Sequence, residues 1–159
     1  MNVTVRTATK GDLAPLDAMF ARAYPKLLKP DYPASVLVTA LPLISKAQPK
    51  LLASGTYFVA EIDGHVVGAG GWTPRARRTE GEVRHFVTDD RHQRQGIGRA
   101  VFDRIIATAQ KAGVTLLNAQ STRTAVPFYQ AMGFTPLGPI EVPLRPGITF
   151  PAIQMQRRL

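Results

Sequence analysis

Between Glu82 and Gly113 the chain passes from a β-rich run, residues 82–87, through Gln93-Arg94-Gln95-Gly96-Ile97-Gly98-Arg99-Ala100, into apolar residues at every fourth position, Ile97, Val101, Ile105 and Ala109. Period-two patterning that gives way to helical patterning across glycines describes a strand handed to a helix, with Gly113 as the helix stop. Gly96 and Gly98 let backbone N–H groups approach a ligand closely at a helix N-terminus, whose partial positive charge favours an anion. Arg91, Arg94 and Arg99 surround that turn and can add charge-assisted hydrogen bonds to a diphosphate. A lone G-x-G serves equally as a tight strand-to-helix turn beneath solvated arginines. Two phosphate loops are excluded: no Gly-Lys-Ser/Thr follows, as a P-loop NTPase needs, and the third glycine and downstream acidic residue of a dinucleotide fold are missing.

Around this unit the same two patterns alternate. Val3, Val5 and Thr7 suit a short first strand. Thr9 and Asp12, three apart, precede Leu13, Leu16, Met19, Phe20 and Ala23, a capping-box start to a helix expected to end before Pro25. Val36, Leu37, Ala40, Leu41 and Ile44 predict a second helix despite Pro42. Residues 56–62 and 65–73 are joined by Asp63-Gly64, a hairpin signal. Residues 114–119 predict a strand, 124–132 a short helix stopped by Gly133, and two last strands begin at Phe134 and Thr149. The order β-α-α-β-β-β-α-β-α-β-β, with no linker or repeat, predicts one α/β domain, residues 1–159, on a mixed sheet.

Lys and Arg exceed Asp and Glu by nine, while 45% of the residues are hydrophobic and 19% charged. That apolar share excludes a disordered basic tail, so the positive surplus sits on a folded surface and favours anionic partners. Five acidic residues interrupt the eight arginines between Arg75 and Arg104, and no aromatics interleave along a basic stripe, so nucleic acid is not the expected partner. The absence of cysteine removes disulfides, thiolate metal sites and a cysteine nucleophile, and suits a reducing compartment. His65, His85 and His92 lack ligand spacing, so no metal is expected, and the G-x-S-x-G elbow of a serine hydrolase is missing. Without a signal-peptide core or an apolar run of roughly 20 residues, the expectation is a cytoplasmic protein with no membrane partner.

A second motif, Ala125-Val126-Pro127-Phe128-Tyr129-Gln130-Ala131-Met132-Gly133-Phe134, decides between the readings of the glycine turn. Gln93, Gly96 and Gly98 resemble Q-x-x-G-x-G, the acyl-CoA pyrophosphate signature of the GNAT superfamily of N-acetyltransferases, and the second motif resembles that family's A-x-x-x-Y-x-x-x-G-F. The element order resembles the family's as well. The resemblance implies a GNAT-like acyltransferase that uses acetyl-CoA as co-substrate and needs no metal. It implies that Phe86, Val87 and Thr88 pair with the pantetheine arm as though it were an added strand. Gln93, Arg94, Gln95, Gly96, Ile97, Gly98 and Arg99 would hold the pyrophosphate, Ile97 through its main-chain N–H.

Tyr129 matches the family's general acid, which protonates the coenzyme A thiolate; a phenol of pKa about 10 is protonated at pH 7 and still donates to a developing thiolate. Glu82 matches the base of the histone-acetylating branch, with His85 and a water relay as rivals. Strict alternation places Glu82 and His85 on opposite faces unless the strand carries a bulge. Relatives commonly have asparagine where this chain has Thr122, and Asn118 is the other candidate for that amide. The acceptor, a primary amine of a small molecule or peptide, falls to the variable segments, 24–48 with Tyr24 and Tyr32, and 73–81 with Arg75, Arg77 and Arg78. The alternatives are a non-catalytic acyl-CoA sensor on the same fold and a basic nucleic-acid module. Assembly is left open between monomer and homodimer.

Overall fold

The strands bury both faces of one seven-stranded mixed sheet, ordered β1-β2-β3-β4-β5-β7-β6. Its members are β1 (Thr4–Thr7), β2 (Tyr57–Ile62), β3 (His65–Pro74), β4 (Glu80–Thr88), β5 (Leu116–Ser121), β6 (Thr135–Arg145) and β7 (Ile148–Arg158). All neighbours pair antiparallel except β4 and β5. The computed structural model describes residues 2–159; Met1, where the expected domain begins, lies outside the described residues.

Helices cover the sheet on both sides. On one face α1 (Leu13–Leu28), α2 (Ala34–Ile44) and the short α3 (Pro49–Leu52) bury a stripe in which Leu16, Phe20 and Ala23 keep no exposed surface. On the other, α4 (Ile97–Lys111) presents Ile97, Val101, Phe102, Ile105 and Ala109, and α5 (Val126–Ala131) adds Tyr129. Each fully buried Leu, Ile or Phe contributes about 1.5–3 kcal/mol, so these stripes, rather than helix propensity, fix the layers. The expected capping box forms on a single 3-10 turn, Lys10–Asp12, that leads into α1: the Thr9 N–H donates to Asp12 Oδ2 at 2.8 Å. Arg6 grips the same carboxylate at 2.8 and 2.9 Å and Glu61 at 2.7 Å, tying β1, β2 and the start of α1 together. The Asp63-Gly64 hairpin also forms, with φ of 51° and 77° at its two turn residues.

One expectation is corrected, and two features go beyond it. α1 does not stop before Pro25 but runs to Leu28; proline removes one helical hydrogen bond, whereas stopping there would expose Leu28, which is buried in the core. The short α3 was not foreseen. β6 extends over eleven residues despite Pro136, Pro139 and Pro143, because it is the outer edge of the sheet, where a missing N–H is tolerated and further pairing is discouraged.

The decisive irregularity lies between β3 and β4. Ala69 faces Val87 and Gly71 faces Arg84, so His85 and Phe86 together oppose Gly70. This is a β-bulge, with His85 at φ 46°. Gly70 permits it: a Cβ there would stand 2.5 Å from Phe86 Cδ2. The Tyr57 hydroxyl pins it by donating to the His85 carbonyl at 2.7 Å. β4 meets β5 only through Glu80, Gly81 and Glu82, then bends away.

The glycines of β3 are thus packing residues. Gly71→Ala would drive a methyl into the Thr56 carbonyl oxygen and the Tyr57 backbone. It is expected to cost about 3 kcal/mol and to lower Tm by roughly 6–12 °C. Gly81→Ala, whose methyl meets the ends of the Leu117 and Trp72 side chains at 3.1 and 3.3 Å, is expected to cost less than half as much. Thermal unfolding of the two variants against wild type checks the order.

Candidate active site

Where β4 and β5 separate, the β4 edge from residue 83 onward has no strand partner on that side. The gap is a cavity of about 150 Å³ walled by Phe86, Val87 and Thr88 of β4, by Thr122, Thr124, Ala125 and Phe128 beyond β5, and by Tyr24, Leu27 and Leu28 of α1. Clefts that enclose a whole drug-sized ligand are about 300–1,000 Å³, so this one accommodates an extended arm rather than a nucleotide. A larger open groove of about 660 Å³ runs between α1 and the β2–β3 turn. Arg22 and Arg91 in it are paired with Asp89, at 2.6 and 3.5 Å, and Glu82, His85 and Tyr129 do not line it.

At the end of β4 the glycine turn takes shape from local forces. The Asp89 carboxylate accepts from the Arg91 N–H at 3.1 Å, and the Gln93 amide donates to the carbonyls of Thr88 and Asp89 at 3.3 and 2.9 Å. Gln93 therefore borders the cavity while its N–H groups shape the loop. Arg94 and Gly96 take positive φ, 60° and 78°, and Gly96 caps α4. Successive N–H groups in such a turn form an anion-binding concavity at a helix N-terminus. Ile97 is buried, as its main-chain role requires. Gly98 packs under the second motif: a Cβ on it would lie 3.0 Å from Phe128 and 3.4 Å from Phe86, two rings stacked at 5.0 Å. Arg99 turns the other way, toward a groove between α4 and Gly133, and Arg91 is drawn to Asp89, so the three arginines do not ring the turn as expected. Gln95 is exposed beside Gly96.

Phe86 and Val83, three apart, both pack on the α4 side, whereas His85 packs on α1 against Phe20 and Tyr24, with ring centroids 4.4 and 6.0 Å away. The bulge inserts one residue into the alternation, so His85 joins Glu82 and Arg84 on a face that strict pleating denies it. Glu82 stands at the last rung of the β4–β5 pairing, with its Oε2 buried and without a hydrogen-bond partner. Burial raises its pKa above the ordinary carboxylate value, against the opposing pull of Arg75 and Arg84. Tyr129 is buried behind Phe128, among Phe102 and Phe134, and burial with the charge of Glu82 pushes its phenol well above the usual range. Burial likewise raises Tyr24, with Tyr129 adding to the effect. The imidazole of His85 is held down to about 4 by burial, so at neutral pH its Nε2–H donates to the Ile44 carbonyl at 2.9 Å and Nδ1 carries a bare lone pair.

Thr122 lines the cavity and its hydroxyl accepts from the Ala125 N–H at 3.1 Å, capping the turn into α5. Asn118 is removed from contention: it is buried, donates to the Gly81 carbonyl at 3.4 Å and accepts from Gln156 at 2.9 Å. Trp72 faces the α4-side core, its Nε1–H donating to Thr108 at 2.9 Å. Between α1 and α2, Asp31 and Tyr32 close over the cleft. Tyr32 donates to the Pro151 carbonyl at 2.7 Å and accepts from the Arg123 N–H at 2.8 Å, while Thr124 donates to Asp31 at 2.7 Å. Sequence reasoning missed Leu27 and Leu28, hidden by the supposed stop at Pro25, and Arg84, which strand period alone places beside Glu82.

Residues 53–136, a little over half of the chain, match the family model described as an acetyltransferase (GNAT) domain. No curated protein sequence matches the chain. The fold is similar to that of the GCN5-related N-acetyltransferase (aminotransferase, class-II) from Rhodopseudomonas palustris, with TM-score 0.83 and 16% identity over 100% of this chain and 97% of that one. It is also similar to PaiA N-acetyltransferase from Thermoplasma acidophilum, solved in complex with coenzyme A, with TM-score 0.73 and 14% identity over 100% of both chains. The ribosomal-protein-S18-alanine N-acetyltransferase from Escherichia coli gives TM-score 0.68 and 20% identity over 99% and 94%. At these identities the likeness is one of fold.

The buried imidazole makes stability depend on pH. The unfolded chain takes up a proton at His85 near pH 6.5 and the folded chain only near 4, so this contribution is complete above 6.5 and is lost as pH falls toward 4, by about 3 kcal/mol in full. Glu82 acts in the opposite sense, since its raised pKa favours protonation in the fold. His85→Gln is therefore expected to lose less stability than wild type between pH 6.5 and 4. Urea midpoints across that range check it; parallel curves would contradict the buried neutral imidazole.

Proposed function

Because the chain belongs to the GNAT acetyltransferase family, we propose that it transfers the acetyl group of acetyl-CoA to a primary amine by direct attack in a ternary complex, with Glu82 as base and Tyr129 as acid. The observation that carries this reading is the desolvated, unpartnered Oε2 of Glu82 at the point where β4 and β5 part, electrostatically coupled to the Tyr129 phenol. Acetyl-CoA supplies an activated thioester. The residues present suit it: an unpaired β4 edge at Phe86, Val87 and Thr88 for an amide-bearing arm, and the turn through Arg94 and Gly96 for a diphosphate.

An ammonium has no lone pair, so a base must take a proton before attack. Two side chains on the shared face qualify, and their basicities separate them. His85, at about 4, is the weaker proton acceptor and its Nε2–H is fixed on Ile44. Burial raises Glu82 above the ordinary carboxylate value, which makes it the stronger acceptor of the two, and Arg75 and Arg84 oppose that rise. Tyr129, raised still further, stays protonated throughout and can only donate. A carboxylate that accepts and a phenol that gives, coupled electrostatically although neither lines the cavity wall, form the acid–base pair the transfer needs. Thr122 borders the arm site, and Leu27 and Leu28 exclude water from it.

Coenzyme A release from acetyl-CoA, followed across amino acids, polyamines, aminoglycosides and peptide N-termini, tests the activity directly. Tyr129→Phe is expected to lower kcat about 100-fold with little change in KM for acetyl-CoA. Glu82→Gln is expected to lower kcat by a similar factor and to abolish the acidic limb of the pH–rate profile, which in wild type lies above the ordinary carboxylate pKa because burial raises it. An unaltered limb would assign the base elsewhere.

A further inference from the structure

Glu82 is flanked by guanidinium groups whose charge is left uncompensated. Arg84 follows it by two on the strand, about 7 Å along the same face. The Arg84 Nη1–H donates at 3.2 Å to the hydroxyl of Thr73, the residue directly opposite Glu82 in the β3–β4 register, which draws the guanidinium beside the carboxylate. Its Nη2–H reaches Gln48 at 3.5 Å. Both partners are neutral. Arg75 approaches from β3, its N–H donating to the Glu80 carbonyl at 2.9 Å. Among the described residues no carboxylate lies within 4.0 Å of Arg84 or Arg75; Glu80 pairs with Arg77 at 3.9 Å, and Asp89 and Asp90 pair with Arg22. Both arginines nonetheless act on Glu82 electrostatically, so all three charges bear on one place.

A guanidinium fixed by neutral oxygens, with further N–H groups still available, is a preformed receptor for a carboxylate or phosphate. The same two positive charges repel an acceptor that carries only amines. We propose that the acceptor is an amine bearing its own anionic group, a carboxylate or a phosphate a few bonds from the nitrogen, which Arg84 and Arg75 hold while Glu82 receives the ammonium proton. This rests on the transfer reading above and names the acceptor class for the same site. Arg84 is then a specificity-determining residue.

Matched pairs test it: an amino acid against its amide, and ethanolamine phosphate against ethanolamine, with spermidine as the purely cationic amine, all by coenzyme A release. The anionic member of at least one pair is expected to show a KM at least tenfold below its neutral counterpart, the pair that responds identifying carboxylate or phosphate. Arg84→Gln is expected to raise KM for that acceptor about tenfold or more, with the larger share of the loss in KM rather than kcat, and Arg84→Lys to recover part of it. Arg75→Gln, at an exposed position that folding does not depend on, is expected to move KM in the same direction and keeps the test valid should Arg84→Gln misfold. Equal KM values within both pairs, or preference for spermidine, overturn the acceptor class while leaving acetyl transfer standing. Absence of coenzyme A release with every amine overturns both readings.

Discussion

The bulge at His85 and Phe86 is the constraint on which the rest of the site depends. It puts two residues of β4 opposite Gly70, and the strand bends there because no other residue type would admit the Phe86 ring. Three consequences follow from that one inserted residue. β4 leaves β5 after Glu82, which opens the cleft. Phe86 turns toward α4 and stacks on Phe128, which docks the second motif against Gly98 and so couples the glycine turn to the helix carrying Tyr129. His85 turns toward α1, onto the same face as Glu82, and through Ile44 ties the end of α2 to the bent strand. A left-handed backbone at a non-glycine residue costs on the order of 1 kcal/mol or more, and here the Tyr57 hydroxyl and the packing of Phe20 and Tyr24 hold it in place.

The positive surplus of the chain divides by function once the ion pairs are drawn. Arg6 is bound into the β1–β2 edge, and Arg22, Lys26 and Arg91 are bound by Asp89 and Asp90 beneath the start of the glycine turn. These cations are structural: they hold the loop's acidic end against α1. Of the cations that take no carboxylate, three bear on the candidate site, Arg94 in the glycine turn and Arg84 with Arg75 near Glu82. Screening removes most of the field of a solvated charge beyond about 8–10 Å, whereas Arg84, half-buried and two residues along the strand, still acts on Glu82. Internal pairs thus remove some of the cations from the surface, and a few of the rest stand beside the candidate site, while the remainder of the surplus is spread over the chain.

Much of this was legible in the sequence because the informative residues act locally. Asp63-Gly64 dictates a hairpin turn whatever surrounds it, Thr9 and Asp12 cap one helix, and Gly96 with Gly98 mark a strand-to-helix turn that leaves backbone N–H groups free. What was not legible required knowing which elements meet. Pro25 reads as a helix end until Leu28 is seen to be buried, and the length of β6 across three prolines is explained only once β6 is seen to be an edge. The arginine ring around the turn failed for the same reason, since Arg91 and Arg99 answer to Asp89 and to the α4 groove, which are tertiary neighbours. The bulge lay between these cases: the glycines of β3 announce a close approach, but only the register shows that the approaching group is Phe86.

The burial that opens the cleft to chemistry also restricts which groups can perform it. Removing water favours the neutral form of every titratable side chain, which raises carboxyls and phenols and lowers imidazoles. Tyr24, Tyr57 and Tyr129 are all raised by burial and His85 is lowered, so each of them is held in one protonation state across the neutral range. At Glu82 the two guanidiniums of Arg75 and Arg84 oppose the burial that would keep its proton on. In the proposed reaction the proton moves at this group, and the arginines that oppose its burial are the same pair proposed to meet an incoming anion. If the anionic end of the acceptor draws on those guanidiniums, their hold on the carboxylate weakens and Glu82 becomes a stronger base as the acceptor seats, so recognition of the acceptor and readiness to deprotonate it share one electrostatic device.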